Sequence, residues 1–337
     1  MNPTRLVTLI PMMVCVANAA PVLAQSPARD APSRVRPALP LPELEPAPAA
    51  RQTSSATRPL VWKDEWAGIR GWEYPSALVL MAGGFSARFL VRPPPPNWVG
   101  TSDFEQSVLD RLAVRSNPAN ENIRKASDLS FYGAMAYRLF DSAILPGLLH
   151  EDSWDVAWKM SWIDFESLAV VAAVEWGTQI FVARVRPTGV NCTDPRREGH
   201  LCDTENADYA GSFIAGHTAT ASAVAGLTCL HHGHLPLYGG GLADDIACGV
   251  MVLNAVGNGF ARVASELHYP SDMLLGLGLG IAAGWVFPRV LHYGWGEPDP
   301  VETVGLPESV DAPPALIFSV SPTIFDTRPG LTVVGSF

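Results

Sequence analysis

Between Tyr74 and about Tyr293 the apolar positions fall into six segments of helical length, separated by short polar joints. They read "YPSALVLMAGGFSARFL", "DLSFYGAMAYRLFDSAILPGLL", "SWIDFESLAVVAAVEWGTQIFVARVRP", "GHTATASAVAGLTCLHH", "LADDIACGVMVLNAVGNGFARVAS" and "SDMLLGLGLGIAAGWVFPRVLHY". Ala, Leu, Met and other small residues dominate them, a pattern that fits helices better than alternating strands. The prediction is an all-α fold, a bundle of about six helices. After about Pro298 the pattern changes. "ALIFSVSPTIFDTRPGLTVVGSF" carries two β-rich runs around "DTRPG" and predicts a small hairpin-like extension. Two strands cannot make a membrane barrel, in spite of the terminal Phe337.

Two stretches fall outside this pattern. Residues 1–24 have a positive charge in "MNPTR", an apolar run and the small-residue ending "VLA", which together read as an export signal. Residues 25–58, with "PALPLPELEPAPAA", are too rich in Pro and Ala to join a core and read as a disordered or semi-stiff tether. The expected organisation is therefore signal, linker, a helical domain over 59–297 and a C-terminal extension over 298–337. Export places the remaining cysteines in an oxidising compartment. Cys192 and Cys202 flank the polar loop "CTDPRREGHLC" and are expected to bridge. Cys229 and Cys248 lie in apolar runs and read as buried thiols, with a second bridge as the alternative.

Composition narrows the partners. The net charge of -10, with no basic stripe, excludes nucleic acid. Only 17% of residues are charged, against ~25% in a soluble domain. A membrane span needs about 20 apolar residues. Met273 to Pro288 is free of formal charge, whereas the other segments are interrupted by Asp141, Asp164, Glu166, Glu175, Asp244 or Asp245. A compact exported bundle and a membrane bundle both fit. Low charge and small-residue helix faces favour membrane association, in the inner membrane with a periplasm-facing site.

Candidate chemistry begins at "ARVASELHYPSD", residues 261–272. Pro270 favours the first turn of a helix, so His268 stands just before it and Asp272 within it. That spacing brings the carboxylate within reach of the imidazole, where it can fix the tautomer and support positive charge. Arg262 ends the preceding helix and faces the same joint. In "SFIAGHTATA", Gly216 and His217 head a helix whose free amides can bind an anion. In "ARVRPTG", Pro187 ends a helix at Arg186, whose planar fork suits phosphate oxygens.

The order and spacing of these pieces resemble the type-2 phosphatidic-acid phosphatase and vanadium haloperoxidase superfamily over roughly residues 125–292. The family's first motif is Lys, six residues, Arg-Pro; its second is Pro-Ser-Gly-His; its third is Ser-Arg, five residues, His, three residues, Asp. They correspond here to "QIFVARVRP", "IAGH" and "ARVASELHYPSD". The resemblance implies a helical bundle whose polar pocket holds phosphate without metal. By that resemblance His268 is the nucleophile that forms a phosphohistidine, Asp272 orients it, and His217 protonates the leaving oxygen. Arg186 and Arg262 clamp the phosphoryl oxygens. Gln179 stands in place of the lysine, Ile214 and Ala215 in place of Pro-Ser, and Ala261 in place of the serine. Gln179 is two helical turns before Arg186 and is expected to donate to the same oxygen without supplying charge. Losing one charge-assisted contact and one hydroxyl costs about 2–4 kcal/mol of transition-state stabilisation. That is roughly thirty- to thousandfold in rate.

Other features have plainer readings. "HHGH" at 231–234 reads as solvated loop histidines rather than a metal site. Glu166 and Glu175 read as paired or surface-facing carboxylates, and Glu266 as a solvated helix end. Trp62, Trp66 and Trp72 form either an interfacial belt or a cover for the bundle. The expectation is an exported hydrolase of phosphomonoesters, including lipid phosphates, that needs no cofactor. The alternatives are a phosphate-binding protein without turnover and a vanadate-dependent haloperoxidase, with vanadate held by His268.

Overall fold

The computed structural model describes residues 59–91, 95–190, 192, 202–204, 206 and 208–296, together with the backbone of strands 317–325 and 328–336. The expected signal and linker lie outside the described residues. The helices are α1 (Glu73–Phe89), α2 (Asp103–Leu112), α3 (Asn117–Leu139), α4 (Leu145–Leu149), α5 (Trp154–Val182), α6 (Pro187–Val190), α7 (Gly216–His234), α8 (Leu242–Ala264) and α9 (Pro270–Ile281). Two wide turns carry α9 on to Tyr293. The six predicted segments correspond to α1, α3 with α4, α5, α7, α8 and α9, an all-α bundle.

One helix has no counterpart in the apolar pattern. α2, "DFEQSVLDRL", buries only Glu105 and Leu109, too few positions to form a visible stripe. Its start is fixed locally, because Ser102 accepts from the Glu105 amide and Glu105 accepts from the Ser102 amide.

α7 is the central helix, packed against α3, α5, α8 and α9. Its small residues make this possible: Ala219, Ala221, Ala223 and Ala225 are all buried. The contact with α9 is closest. A Cβ on Gly276 would lie 2.7 Å from the Ala215 carbonyl, one on Gly280 2.3 Å from that of Ala219, and one on Gly284 2.2 Å from that of Ala223. Glycines four apart thus form a groove for the α7 backbone, and "GLGLG" is a packing surface. This contact fixes the start of α9 beside the start of α7.

Two disulfides brace the bundle. Cys192–Cys202 closes the loop after α6, and Cys229–Cys248 joins α7 to α8. The second corrects the reading of Cys229 and Cys248 as unpaired thiols: the turn between the helices brings their Cα atoms to 4.4 Å. Trp66 is buried against Trp62, His234 and Tyr293, covering one end of the bundle, while Trp72 is exposed.

Three helices are long and apolar enough to cross a membrane: Trp154–Val182, Leu242–Ala264 and Pro270–Tyr293. Their outer faces expose Phe181, Leu253, Phe260, Leu274 and Val290. In the C-terminal extension, Ile317–Phe325 pairs antiparallel with Arg328–Ser336, with Phe325 opposite Arg328.

Candidate active site

The site is assembled from three joints between helices. The first follows α5, which ends at Val182, earlier than the sequence suggested, because Ala183 takes a left-handed conformation. The next residues are extended and pair with Trp98: Asn97 N–H donates to the Ala183 carbonyl and Val185 N–H to that of Trp98. Arg184 and Arg186 part company. Arg184 is fully buried between the rings of Trp98 and Tyr269, 3.9 and 3.8 Å from their centroids. Arg186 faces a cavity of about 430 Å³.

The second joint is the start of α7. Its N-cap is Ala215, whose side chain offers no capping bond, so the first amides keep their donors for something else. Gly216 and His217 line the cavity. The third joint joins α8 to α9. His268 Nδ1 lies 2.6 Å from the Ser212 carbonyl, and a carbonyl can only accept, so Nδ1 carries the hydrogen. Nε2 is then a lone pair, and His268 also lines the cavity. Burial, then the charges of Arg186 and Arg262, drive the His268 pKa well below its ordinary value. The ring is neutral and nucleophilic.

Asp272 departs from the expected contact with His268. Its carboxylate takes Arg184 Nη1 at 2.7 Å, the Ser212 hydroxyl at 2.6 Å and the Tyr269 amide at 3.0 Å. The reason is local: Pro270 starts α9, so Asp272 turns back onto the amide of its own N-cap. It reaches the histidine through Ser212, whose hydroxyl it holds and whose carbonyl holds the ring. Glu105 grips the other side of Arg184 at 2.9 and 3.0 Å. Burial alone would raise the Glu105 pKa, but hydrogen bonds from Arg184, Ser271, Ser102 and Thr101 outweigh it and hold the group at about 2.

Arg262 is buried and places Nη1 2.9 Å from Asp128 Oδ1. The same oxygen lies 3.3 Å from His217 Nε2. Burial, with the charges of Arg262 and Arg186, pushes the His217 pKa down; the Asp128 carboxylate acts in the opposite sense. Both arginines keep donors in reserve. Arg186 Nε and Arg262 Nε are buried without a hydrogen-bond partner, which suits an oxyanion. Burial and the neighbouring cations Arg88 and Arg124 lower the Arg186 pKa, with Asp208 opposing them. Gln179 lines the cavity, yet its amide donates to Glu175 Oε1 at 3.1 Å.

Three participants escaped the sequence. Arg88, at the end of α1, lines the cavity and binds Asp208 at 2.9 Å. Asp128 and Ser212 lie on or beside segments whose motifs concern other residues, so no spacing marks them. Glu175, read as a paired or surface-facing carboxylate, lines the cavity. Conversely, "HHGH" is helical, not a loop: His231 binds Asp164 and Tyr293, and His232 binds Asp141 and Asp244, all buried. Glu266 is likewise buried beside Arg115 rather than solvated. Glu73, Glu166 and His292 bring ligand atoms within 4.8 Å of one another, away from the cavity. Arg70 Nη1 holds Glu73 at 2.9 Å and His292 Nε2 meets Glu166 at 3.2 Å.

The helical bundle encloses a cavity lined by Arg88, Arg186, His217, His268 and the start of α7. Residues 163–295 match the family model described as PAP2 superfamily, a region that contains the three motifs quoted above. No curated protein matches the chain in sequence. Among solved structures, it is similar to a transmembrane PAP2 type phosphatidylglycerolphosphate phosphatase from Bacillus subtilis. The identity is 17%, with 65% of this chain and 93% of that one covered and a TM-score of 0.41.

Proposed function

We propose that the protein hydrolyses phosphomonoesters carried on lipids, through a phosphohistidine on His268. One observation carries this reading: a neutral imidazole with a free Nε2 lines the same cavity as Arg186, whose buried Nε has no hydrogen-bond partner, and His217. Nε2 attacks phosphorus and the bond to the ester oxygen breaks. His217 gives that oxygen its proton. A water then attacks phosphorus, the phosphorus–nitrogen bond breaks, and His217, neutral since it gave up its proton, takes the water's proton. Arg186, Arg262 and the first amides of α7 stabilise the equatorial oxygens, where charge collects. The incoming dianion favours protonated His217, adding to Asp128.

A lipid substrate is supported by the cavity wall. Met81 and Phe85 of α1, Phe131 and Met135 of α3, and Leu168 and Trp176 of α5 line it with apolar surface. Three helices of membrane-crossing length accompany it. Two disulfides fit an exported, periplasm-facing site. The test uses purified full chain in detergent with phosphatidic acid, a short chromogenic phosphate ester and a chelator. Phosphate release from the lipid, undiminished by chelator and lost in His268→Ala, is the expected result. Equal rates in wild type and His268→Ala would eliminate the assignment.

A second reading is a phosphate binder with little turnover. The engagement of Gln179 by Glu175 favours it, because no lysine reaches the cavity at that position. Binding without hydrolysis, persisting in Gln179→Lys with Ala215→Ser, would decide for it.

A further inference from the structure

The carboxylate of Glu175 occupies an unexpected place. It projects from α5 to the start of α7, where an ideal Cβ on Gly216 would lie only 1.6 Å from its Oε1 and 2.0 Å from its Cδ. No side chain fits there, so glycine at 216 is what admits the carboxylate to the helix start. Glu175 lines the same cavity as Arg186, His217 and His268. The cations that line this cavity with it are Arg88 from α1 and Arg186 from the joint after α5. Arg186 is one of the groups assigned above to the phosphoryl oxygens. Among the described residues its side-chain hydrogen bond is from Gln179, at the position where the family's motif has a lysine.

We infer that Glu175 is an internal anion that competes with the phosphoryl group for the cradle at the start of α7, and so sets the charge the site accepts. An anion in a helix-start cradle is stabilised by the amides and the helix dipole in the same way as a bound phosphate. Two anions cannot share that cradle without repulsion, which in a partly dry cavity is far stronger than in water. The residue acts on specificity: it penalises a dianionic phosphoryl group more than a singly charged one. Substrate entry requires the side chain to turn aside or take up a proton.

This inference rests on the phosphatase reading, and the experiment separates the two. Binding of inorganic phosphate and of singly charged dimethyl phosphate is measured by calorimetry on detergent-solubilised wild type and Glu175→Gln. The expected result is that Glu175→Gln tightens phosphate by roughly tenfold or more and dimethyl phosphate by clearly less. A merely structural residue would give no gain of affinity. Should Glu175→Gln fail to fold, Glu175→Asp keeps the charge but withdraws it by one methylene, and smaller tightening in the same order is expected. Wild-type binding of phosphate that neither substitution tightens would overturn the inference and leave the phosphatase reading in place. No phosphate binding by wild type or by either variant would overturn both.

Discussion

The two ends of α7 hold comparable sets of residues and use them in opposite ways. At its C-terminal end, His231 and His232 meet Asp164, Asp141 and Asp244, with Arg138 buried among them. Both ring nitrogens of each histidine are engaged there. At the N-terminal end, His268 spends one nitrogen on a carbonyl and presents the other to a cavity, and two arginines keep a nitrogen in reserve. A network whose histidine nitrogens are all engaged holds helices together. An unsaturated one of the same composition is ready for a ligand, because a buried donor without a partner is costly to leave that way.

Substitutions should separate the two ends. The largest effect on activity is expected for His268→Ala, a loss of at least about a thousandfold in kcat with little change in melting temperature. Unfolding of that variant would instead assign His268 to the structural group. The mirror experiment is Arg138→Met. Removing the buried cation strands Asp141 and Asp164, and destabilisation of about 3–5 kcal/mol is expected in denaturant melts. Activity per folded molecule should survive.

Smaller effects sharpen the contrast within the site. Asp128→Asn removes the carboxylate shared by His217 and Arg262, and about a tenfold fall in kcat is expected. The alkaline limb of the pH–rate profile should also move to lower pH, since imidazolium at His217 loses its support. An unmoved profile would make Asp128 a packing residue. Ser212→Ala cuts the link from Asp272 while keeping the carbonyl that holds His268. A fall of several-fold to tenfold in kcat at nearly constant KM is expected; a rise in KM alone would assign Ser212 to binding.

The smallest effect concerns the C-terminal end of α7. Burial works to lower the His232 pKa, but the Asp141 and Asp244 hydrogen bonds outweigh it and raise the group above 6.5. The stabilisation is therefore complete below 6.5 and disappears as pH climbs through the raised folded-state value. Asp141, held at about 2 against an ordinary 3.8, contributes above 3.8 and loses its contribution as pH falls toward 2. Melting temperature should thus decline above neutrality by roughly 2–4 °C, and His232→Gln should abolish that slope. A slope that persists in the variant would point to another group.

Helices and motifs differed in how plainly the chain announced them. Long helices with a continuous small or apolar face, such as α7 and α9, follow from composition, because such faces are stable only against one another. α2 was invisible because it buries two side chains and is stabilised by its cap. Arg186, His217, Arg262 and His268 were legible because each sits at a helix end marked by Pro or Gly, or at a fixed distance from one. The end of α5 was misplaced for a definite reason: helical geometry was assumed through Arg186, whereas the left-handed Ala183 ends the helix and starts an extended segment paired with Trp98.

What the amino-acid order determined alone was the long apolar helices and the places of Arg186, His217, Arg262 and His268 at or near their ends. These depend on local propensity and on spacing, which the chain carries in one dimension. Tertiary structure decided which partners those residues keep. It gave Asp272 to Arg184 and Ser212, set Asp128 between Arg262 and His217, filled the space over Gly216 with Glu175 and bound Cys229 to Cys248. Each of those contacts joins separate elements, and the close approach of glycine-lined helices, not any sequence interval, sets the distance between them.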